Sequence, residues 1–326
     1  MWFDKKNIVI LFAILPTAIL LAVGLFYFLK EPDINYKIIE NKIKKTTDLI
    51  KNEKNIKILF VGDLMFDRGI RYYAEKNGGN DFIFEKIKDE LLKYDFVVAN
   101  LEGTITNEKS ISAGTIPGST NNYFFTFDPS VAKTFYKNNI KMVNMGNNHI
   151  LNFKESGLVS TKKYLEKENI EYFGGPFENK SIIKDFDGFK IAFLSYNEFL
   201  GKGIPFTINQ IKITKPVVDI VILYTHWGAE YIKTPSDYQK KLAHQFIDAG
   251  ADIIIGSHPH VIQTTEKYNG KMIYYSLGNF IFDQHFSEDV KNGLGVVIEI
   301  NKQKKQISFK EINFYLNPNG QTTIVD

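Results

Sequence analysis

From residue 56 onward the chain alternates short apolar runs with polar breaks. Seven runs carry the pattern: "IKILFVGD", "DFVVANLEG", "KMVNMGNNH", "KIAFLSYNE", "DIVILYTHWG", "DIIIGSHPH" and "MIYYSLGNF". Near-continuous apolar runs of this length, closed by turn-forming residues, predict strands buried on both faces. Between them, "DPSVAKTFYKNN", "KESGLVSTKKYLEKEN" and "SDYQKKLAHQFIDAG" read as helices, the last with Ser236 as N-cap and Gly250 as stop. On that helix Tyr238, Leu242, Phe246 and Ala249 form the predicted core stripe, which leaves His244 facing solvent. Strand and helix alternate, so the fold class is α/β, a layered domain over residues 56–300. "GLGVVIEI" and "QISFKEINFYLN" predict an edge hairpin, with residues 301–326 as its outer strand and tail. The stretch 103–127 has no periodicity, and a loop of that length is expected to serve the site as a flap.

The N-terminus has a different texture. Ile8 to Leu29, "IVILFAILPTAILLAVGLFYFL", holds no charge in 22 residues, against roughly 20 needed to cross a bilayer as a helix. Residues 1–30 are therefore expected to be a single-pass membrane anchor, retained because no small-x-small cleavage site comes after the apolar run. Pro16 is compatible with this, since membrane helices tolerate proline. A buried core helix of that length with no polar face would be unusual. Residues 31–55 are polar and lysine-rich and read as a stalk. Lysines flank the apolar run on both sides, so charge alone does not orient it.

Composition narrows the rest. A 326-residue chain with 44% hydrophobic residues can bury a sizeable core. The net charge of +3 comes from lysines spread along the whole length, which argues against a nucleic-acid partner. Cysteine is absent, so disulfides and thiolate ligands are excluded and any metal must be held by nitrogen and oxygen.

The chemistry-bearing residues sit where the apolar runs end, at the edge of an α/β sheet where sites form. They are Asp63 and Arg68 in "VGDLMFDR", Asn100 and Glu102 in "ANLEG", and Asn148 and His149 in "GNNH". His226 in "THWG", His258 and His260 in "GSHPH" and Asn279 in "LGNF" complete the set. Each alone could be a cap or turn residue; together they offer the imidazole, carboxylate and amide oxygens that suit zinc, manganese or iron. The helical HExxH spacing, the GxSxG elbow and the GxxxxGK[ST] phosphate loop are all missing, which removes support for zinc proteases, serine hydrolases and P-loop enzymes. Pro259 biases His258 toward an extended backbone, from which the rings at 258 and 260 would leave on one side. Trp227 reads as core or pocket wall, and His285 as a loop residue.

These segments, in this order, resemble the CapA family of bacterial capsule synthesis proteins, the poly-gamma-glutamate biosynthesis group. The resemblance runs from residue 56 to about 283 through "VGDLMFDR", "ANLEGTIT", "MVNMGNNHILNF", the block from His226 to Gln263, and "IYYSLGNFIFD". That family is in turn similar to calcineurin-like metallophosphoesterases, which implies a β-sandwich flanked by helices. It also implies one or two divalent ions, with Asp63, Glu102 and His260 on the first and Asn148, His226 and His258 on the second, Glu102 bridging. His149 would assist the leaving group, and Arg68, Asn100 and Asn279 would meet the substrate or support the shell. The implied setting is an extracytoplasmic domain on the cell membrane, working with an anionic polymer such as poly-gamma-glutamate and with other capsule synthesis subunits. In that setting the chain would be either a metal-dependent hydrolase or a non-catalytic polymer-binding or export subunit. One residue departs from the pattern: Met65 stands where the phosphoesterases place the histidine of Asp-x-His, which leaves the first ion short of an imidazole.

Overall fold

Why the strand runs show no polar face is explained by where they lie. The computed structural model describes residues 55–325; the expected anchor and nearly all of the stalk fall outside them. Among the described residues no helix is long and apolar enough to cross a membrane.

The chain enters strand β1 (Ile56–Leu64), passes helices α1 (Arg68–Lys76), α2 (Asp81–Phe84) and α3 (Lys88–Leu91), and returns through β2 (Phe96–Leu101). Two short strands, β3 (Thr104–Ile105) and β4 (Thr126–Phe127), pair with each other and bracket the long loop. Next come α4 (Ser130–Lys137), β5 (Ile140–Asn144), α5 (Lys154–Lys167), β6 (Glu171–Phe173), β7 (Ile182–Phe186) and β8 (Phe189–Asn197). The second half holds α6 (Gly203–Thr214), β9 (Ile220–His226), α7 (Asp237–Ala249), β10 (Ile253–Ser257), β11 (Thr265–Tyr268) and β12 (Lys271–Tyr274). Strands β13 (Asn279–Ile281), β14 (Asn292–Asn301), β15 (Gln306–Leu316) and β16 (Thr322–Val325) finish it.

These strands form two large sheets. The first runs β16-β15-β14-β1-β2-β5-β6, with β13 pairing the far end of β1; the second runs β11-β12-β10-β9-β8-β7. Alternate residues of each central strand feed two different cores, as the period of two requires. Ile58 and Phe60 face the second sheet, packing with Phe193, Ile222 and Ile255, while Leu59 and Val61 face outward onto Ile70, Phe84 and Phe135 of the helical layer. On the other side Leu194, Leu223 and Ile254 pack under Ile211, Leu242 and Phe246 of α6 and α7. Two sheets face to face with helices on both outer sides is the layered architecture expected, and it is why the runs are apolar throughout.

Several local expectations change. Helix α7 has its Ser236 cap and a full capping box with Gln239, but Tyr238 is exposed and the buried stripe is Leu242, Ala243, Phe246 and Ile247. His244 is not simply solvated: its ring stacks on Tyr268 at 3.7 Å and its Nε2 lies 2.8 Å from Glu266. The C-terminal hairpin β14–β15 is flanked by β1 on one side and β16 on the other, so β16 takes the edge. The run "MIYYSLGNF" is not one strand: β12 belongs to the second sheet and β13 to the first, the chain crossing between them at Tyr275–Gly278.

Candidate metal centre

The strand ends meet at one rim of the sandwich. Asp63 at the end of β1 is paired in register with Asn100 of β2 and Asn279 of β13, and Ser257 of β10 with His226 of β9. Close backbone approach makes this possible: Gly62 packs so tightly on the Gly278 carbonyl that a methyl group there would lie 1.8 Å from its oxygen.

Asp63, Glu102 and His260 form one group, one ligand atom from each lying within 4.8 Å of the others, all three buried. His260 Nδ1 is 3.3 Å from Asp63 Oδ2 and its Nε2 is 3.5 Å from Glu102 Oε1. Asn279 donates from Nδ2 to the Val290 carbonyl at 3.0 Å, which turns its Oδ1 toward His260 Nδ1 at 2.9 Å. His260 therefore carries its proton on Nδ1 and presents the Nε2 lone pair to Glu102, the usual arrangement behind a ligating imidazole. A second group is Asn148, His226 and His258: Asn148 Oδ1 is 2.9 Å and His258 Nδ1 is 3.2 Å from His226 Nε2. Atoms sharing a tetrahedral ion with bonds of about 2.1 Å sit roughly 3.4 Å apart, so these distances are of the right size for one ligand shell.

Glu102 provides the test of whether a cation fits. It is fully buried, and neither carboxylate oxygen has a hydrogen-bond partner among the described residues. Burial, reinforced by the adjacent Asp63 charge, pushes its carboxyl well above the usual range. Asp63 goes the other way: burial would raise it, but the hydrogen bond and charge of His260, with His226 and Asn100, hold it well below that range. Buried carboxylates are normally paired or bound to metal, so an orphaned one amid four imidazoles fits a divalent cation. The donor set, all nitrogen and oxygen, suits manganese, iron or zinc.

His149 stands beside this group with Nε2 3.6 Å from Glu102 Oε1. Asn152 Oδ1 accepts from the Phe125 amide, which fixes the orientation in which it faces His149 Nδ1 at 3.0 Å; the Tyr123 carbonyl is 3.1 Å from the same nitrogen. Nδ1 thus carries the proton and the Nε2 lone pair points into the site. The long loop supplies Tyr123, and also Asn122, whose carbonyl and side-chain oxygens accept from Arg68 Nη1 at 3.2 and 3.0 Å. Arg68 is further held by an ion pair with Asp283 and lies between Phe125 and Phe282. Its guanidinium is thereby fixed at the rim, with Asp283 already neutralising much of its charge.

Two of the residues expected to touch substrate sit deeper than the rim. Asn100 is fully buried, donating to Asp63 Oδ1 at 2.8 Å and accepting from Asn144 at 3.0 Å. Asn279 is likewise buried behind His260. Both brace ligands, and neither is placed to meet a substrate. The backbone expectation for "SHPH" is also corrected: His258 and His260 have φ of +98° and +56°, so the two rings leave a left-handed turn rather than an extended strand. The His258 amide donates to Asp63 Oδ2 at 3.1 Å, which offsets the strain and ties the turn to the first group. Met65 is buried and its Sδ accepts from the Asp67 amide at 3.0 Å, so the thioether is turned to the backbone. Trp227 is core, its Nε1 donating to the Tyr275 carbonyl at 2.8 Å. Sequence reasoning misses the bracing asparagines Asn144 and Asn147 and the exposed Glu230, which groups with His258 and His260 within 4.8 Å. The available signals are asparagine recurring at strand ends and a carboxylate four residues beyond His226.

The cluster sets an acid sensitivity for the metal-free chain. Burial lowers His149 to about 4; burial and the His260 charge lower His258 to about 3; burial and the His258 charge hold His226 well below its usual value. With folded values below the unfolded value near 6.5, the unfolded chain takes up these protons first, so stability is full above that pH and falls as pH drops through about 6 toward about 4. Glu102, raised in the folded state, opposes this with one proton. Urea unfolding in the presence of chelator is expected to show stability declining from about pH 7 to about pH 5; a flat profile would mean the imidazoles are not buried neutral.

Comparison with known proteins shows the family. Residues 57–284 match the family model described as bacterial capsule synthesis protein PGA_cap. The PGA biosynthesis protein CapA of Bacillus subtilis (strain 168) is 32% identical over 244 residues, 69% of this chain and 63% of that protein. The capsule biosynthesis protein CapA of Bacillus anthracis is 28% identical over 269 residues, 75% of this chain and 64% of that one. The match thus spans less than two thirds of either relative's own length. A solved structure, TT1561 of Thermus thermophilus, overlaps 79% of this chain and 99% of its own at 10% identity, with a TM-score of 0.43. With the family match over most of its described residues and a relative of 32% identity, the chain belongs to the bacterial capsule synthesis (PGA_cap) family.

Proposed function

We propose that this chain is a capsule biosynthesis protein, anchored in the cell membrane by residues 1–30 with its folded domain outside the cytoplasm. In this reading it acts as a metal-dependent hydrolase on a phosphoester or an anionic envelope polymer such as poly-gamma-glutamate. The observation that carries the reading is Glu102: a fully buried carboxylate with both oxygens unpartnered, within ligand distance of Asp63 and His260. The relatives' names supply the biological setting.

Asp63, Glu102 and His260 would hold one divalent ion, and Asn148, His226 and His258 a second. Bound metal would supply Lewis acidity and make water acidic enough to react near neutral pH. The chain's own residues do the rest. Asn279, Asn100 and Ser257 hold the ligands in orientation. His149 Nε2, its lone pair turned inward by Asn152 and Tyr123, is positioned to take a proton from the reacting water or, once protonated, to give it to a leaving group. Arg68, fixed at the rim by Asn122 and Asp283, orients an anionic substrate.

One observation favours a second reading. Met65 removes an imidazole from the first ion, and a site that binds metal weakly could hold polymer for a partner subunit without cleaving it. Turnover separates the two. The purified chain with Mn²⁺, Zn²⁺ or Fe²⁺ is expected to cleave a chromogenic phosphodiester, and His149→Ala to reduce the rate at least about 100-fold with metal still bound. Metal bound with no turnover by the wild-type chain on that substrate or on poly-gamma-glutamate would favour the binding subunit.

A further inference from the structure

We infer that Glu230 supplies the ligand Met65 cannot, so that the metal is held from its solvent side by a carboxylate on the loop after β9. The inference rests on the metal-site reading above and adds to it a donor that neither the family resemblance nor the spacing of the strand ends includes.

Met65 offers nothing to a hard cation, because its sulfur is buried and engaged by the Asp67 amide. Glu230 sits on the open side, exposed to solvent. A carboxylate oxygen of Glu230 and ring nitrogens of His258 and His260 lie within 4.8 Å of one another, and Asp63, Glu102 and His260 do the same, so His260 is common to both groups. The unpartnered oxygens of Glu102 lie in the second of these groups, fully buried, and need a cation.

The loop that carries Glu230 is built to stay there. The Tyr231 amide donates to the Pro259 carbonyl at 2.8 Å, fastening the loop to the turn between the two histidines, and Tyr231 Oη accepts from Gln284 at 3.2 Å. On the other side Trp227 is buried and its amide donates to the Ser257 carbonyl at 3.2 Å. Gly228 turns the chain with φ of +88° where a methyl group would lie 2.4 Å from Gln239. Through the shared His260 the two groups bring together three carboxylates, Asp63, Glu102 and Glu230, and two imidazoles, His258 and His260. Exchanging an imidazole for a carboxylate moves the site toward harder ions, so manganese is the expected preference over zinc.

The test is Mn²⁺ binding to the purified full chain, measured by titration calorimetry and by the loss of the free-ion electron paramagnetic resonance signal. Glu230→Gln, an exposed substitution of the same shape, is expected to weaken Mn²⁺ at least about tenfold, a ligand being worth no less than the groups that orient ligands. Glu230→Asp keeps the charge but shortens the reach, and is expected to lose affinity as well. If Glu230→Gln binds Mn²⁺ as the wild type does, Glu230 is no ligand; if Glu230→Asp retains full affinity while Glu230→Gln loses it, charge alone is at work and the inference fails. A wild-type chain that binds no divalent ion would overturn this inference together with the metal-site reading, whereas the other two results leave that reading standing.

Discussion

Glu102→Gln is expected to stabilise the metal-free chain by about 1–3 kcal/mol while removing its divalent metal. The two effects have one cause. Without a cation, the glutamate is fully buried beside Asp63 with neither oxygen hydrogen-bonded, and it stays folded only by holding its proton well above the pH at which a free carboxyl would release it. An amide of the same shape is neutral without taking up a proton on folding, and it brings two donors into a pocket lined by the lone pair of His260 and the carboxylate of Asp63. The same exchange removes a ligand from the first group. Urea unfolding in chelator and a metal titration on one preparation measure both sides. A Glu102→Gln chain less stable than wild type without metal would mean that the carboxylate has a partner in solution and that the site does not store this cost for a cation.

The largest loss of stability is expected at Gly62. An alanine methyl there would lie 1.8 Å from the Gly278 carbonyl oxygen and 2.9 Å from its carbon. Both are backbone atoms, and β1 is held on its other side by β2, so no flexible side chain can move to relieve the overlap. The Asp63 amide donates to that same carbonyl at 3.1 Å, which means β1 and the chain entering β13 must separate locally to admit the methyl. A cost of more than about 4 kcal/mol is expected, in the range reserved for backbone strain and core disruption. The readout is soluble yield and the urea midpoint of Gly62→Ala. Near wild-type stability would show that the strands are not so closely packed and that the alignment of Asp63 with Asn279 is loose. Because Asp63 is the next residue, metal affinity should fall with the fold.

A strand buried on both faces has no polar alternation, so "IKILFV" and "DIVILY" announce burial and a polar terminus, and the ligand candidates are the polar residues that close each run. To that extent both the layered fold and the site are legible in the sequence. The structure brings Asp63, Glu102 and His260 together, and Asn148, His226 and His258 together, with His149 beside Glu102. The same apolar uniformity hides which sheet a strand joins, which is why "MIYYSLGNF" reads as one strand although it serves two. Helix α6 escapes sequence reading for a related reason: its buried positions include Thr207 and Thr214, so its core face is not written in apolar residues. The proline rule for His258 is outweighed by tertiary contact, since the left-handed turn lets the His258 amide reach Asp63. Asn100 and Asn279, expected to meet the substrate or support the shell, are braces, because hydrogen-bond direction depends on which neighbours the fold delivers. Glu230 lies in a loop with no period at all. The three-dimensional return of that loop onto Pro259 is what brings it to the site.

Elemental analysis of the purified full chain, run in parallel on Glu102→Gln, tests most directly whether a divalent cation sits at the Asp63–Glu102–His260 group. One or two equivalents of a divalent transition metal per chain, lost or sharply reduced on substituting Glu102, is the expected result. Absence of metal from the wild-type chain even after incubation with Mn²⁺, Zn²⁺ or Fe²⁺, or equal metal content in the two proteins, would contradict it.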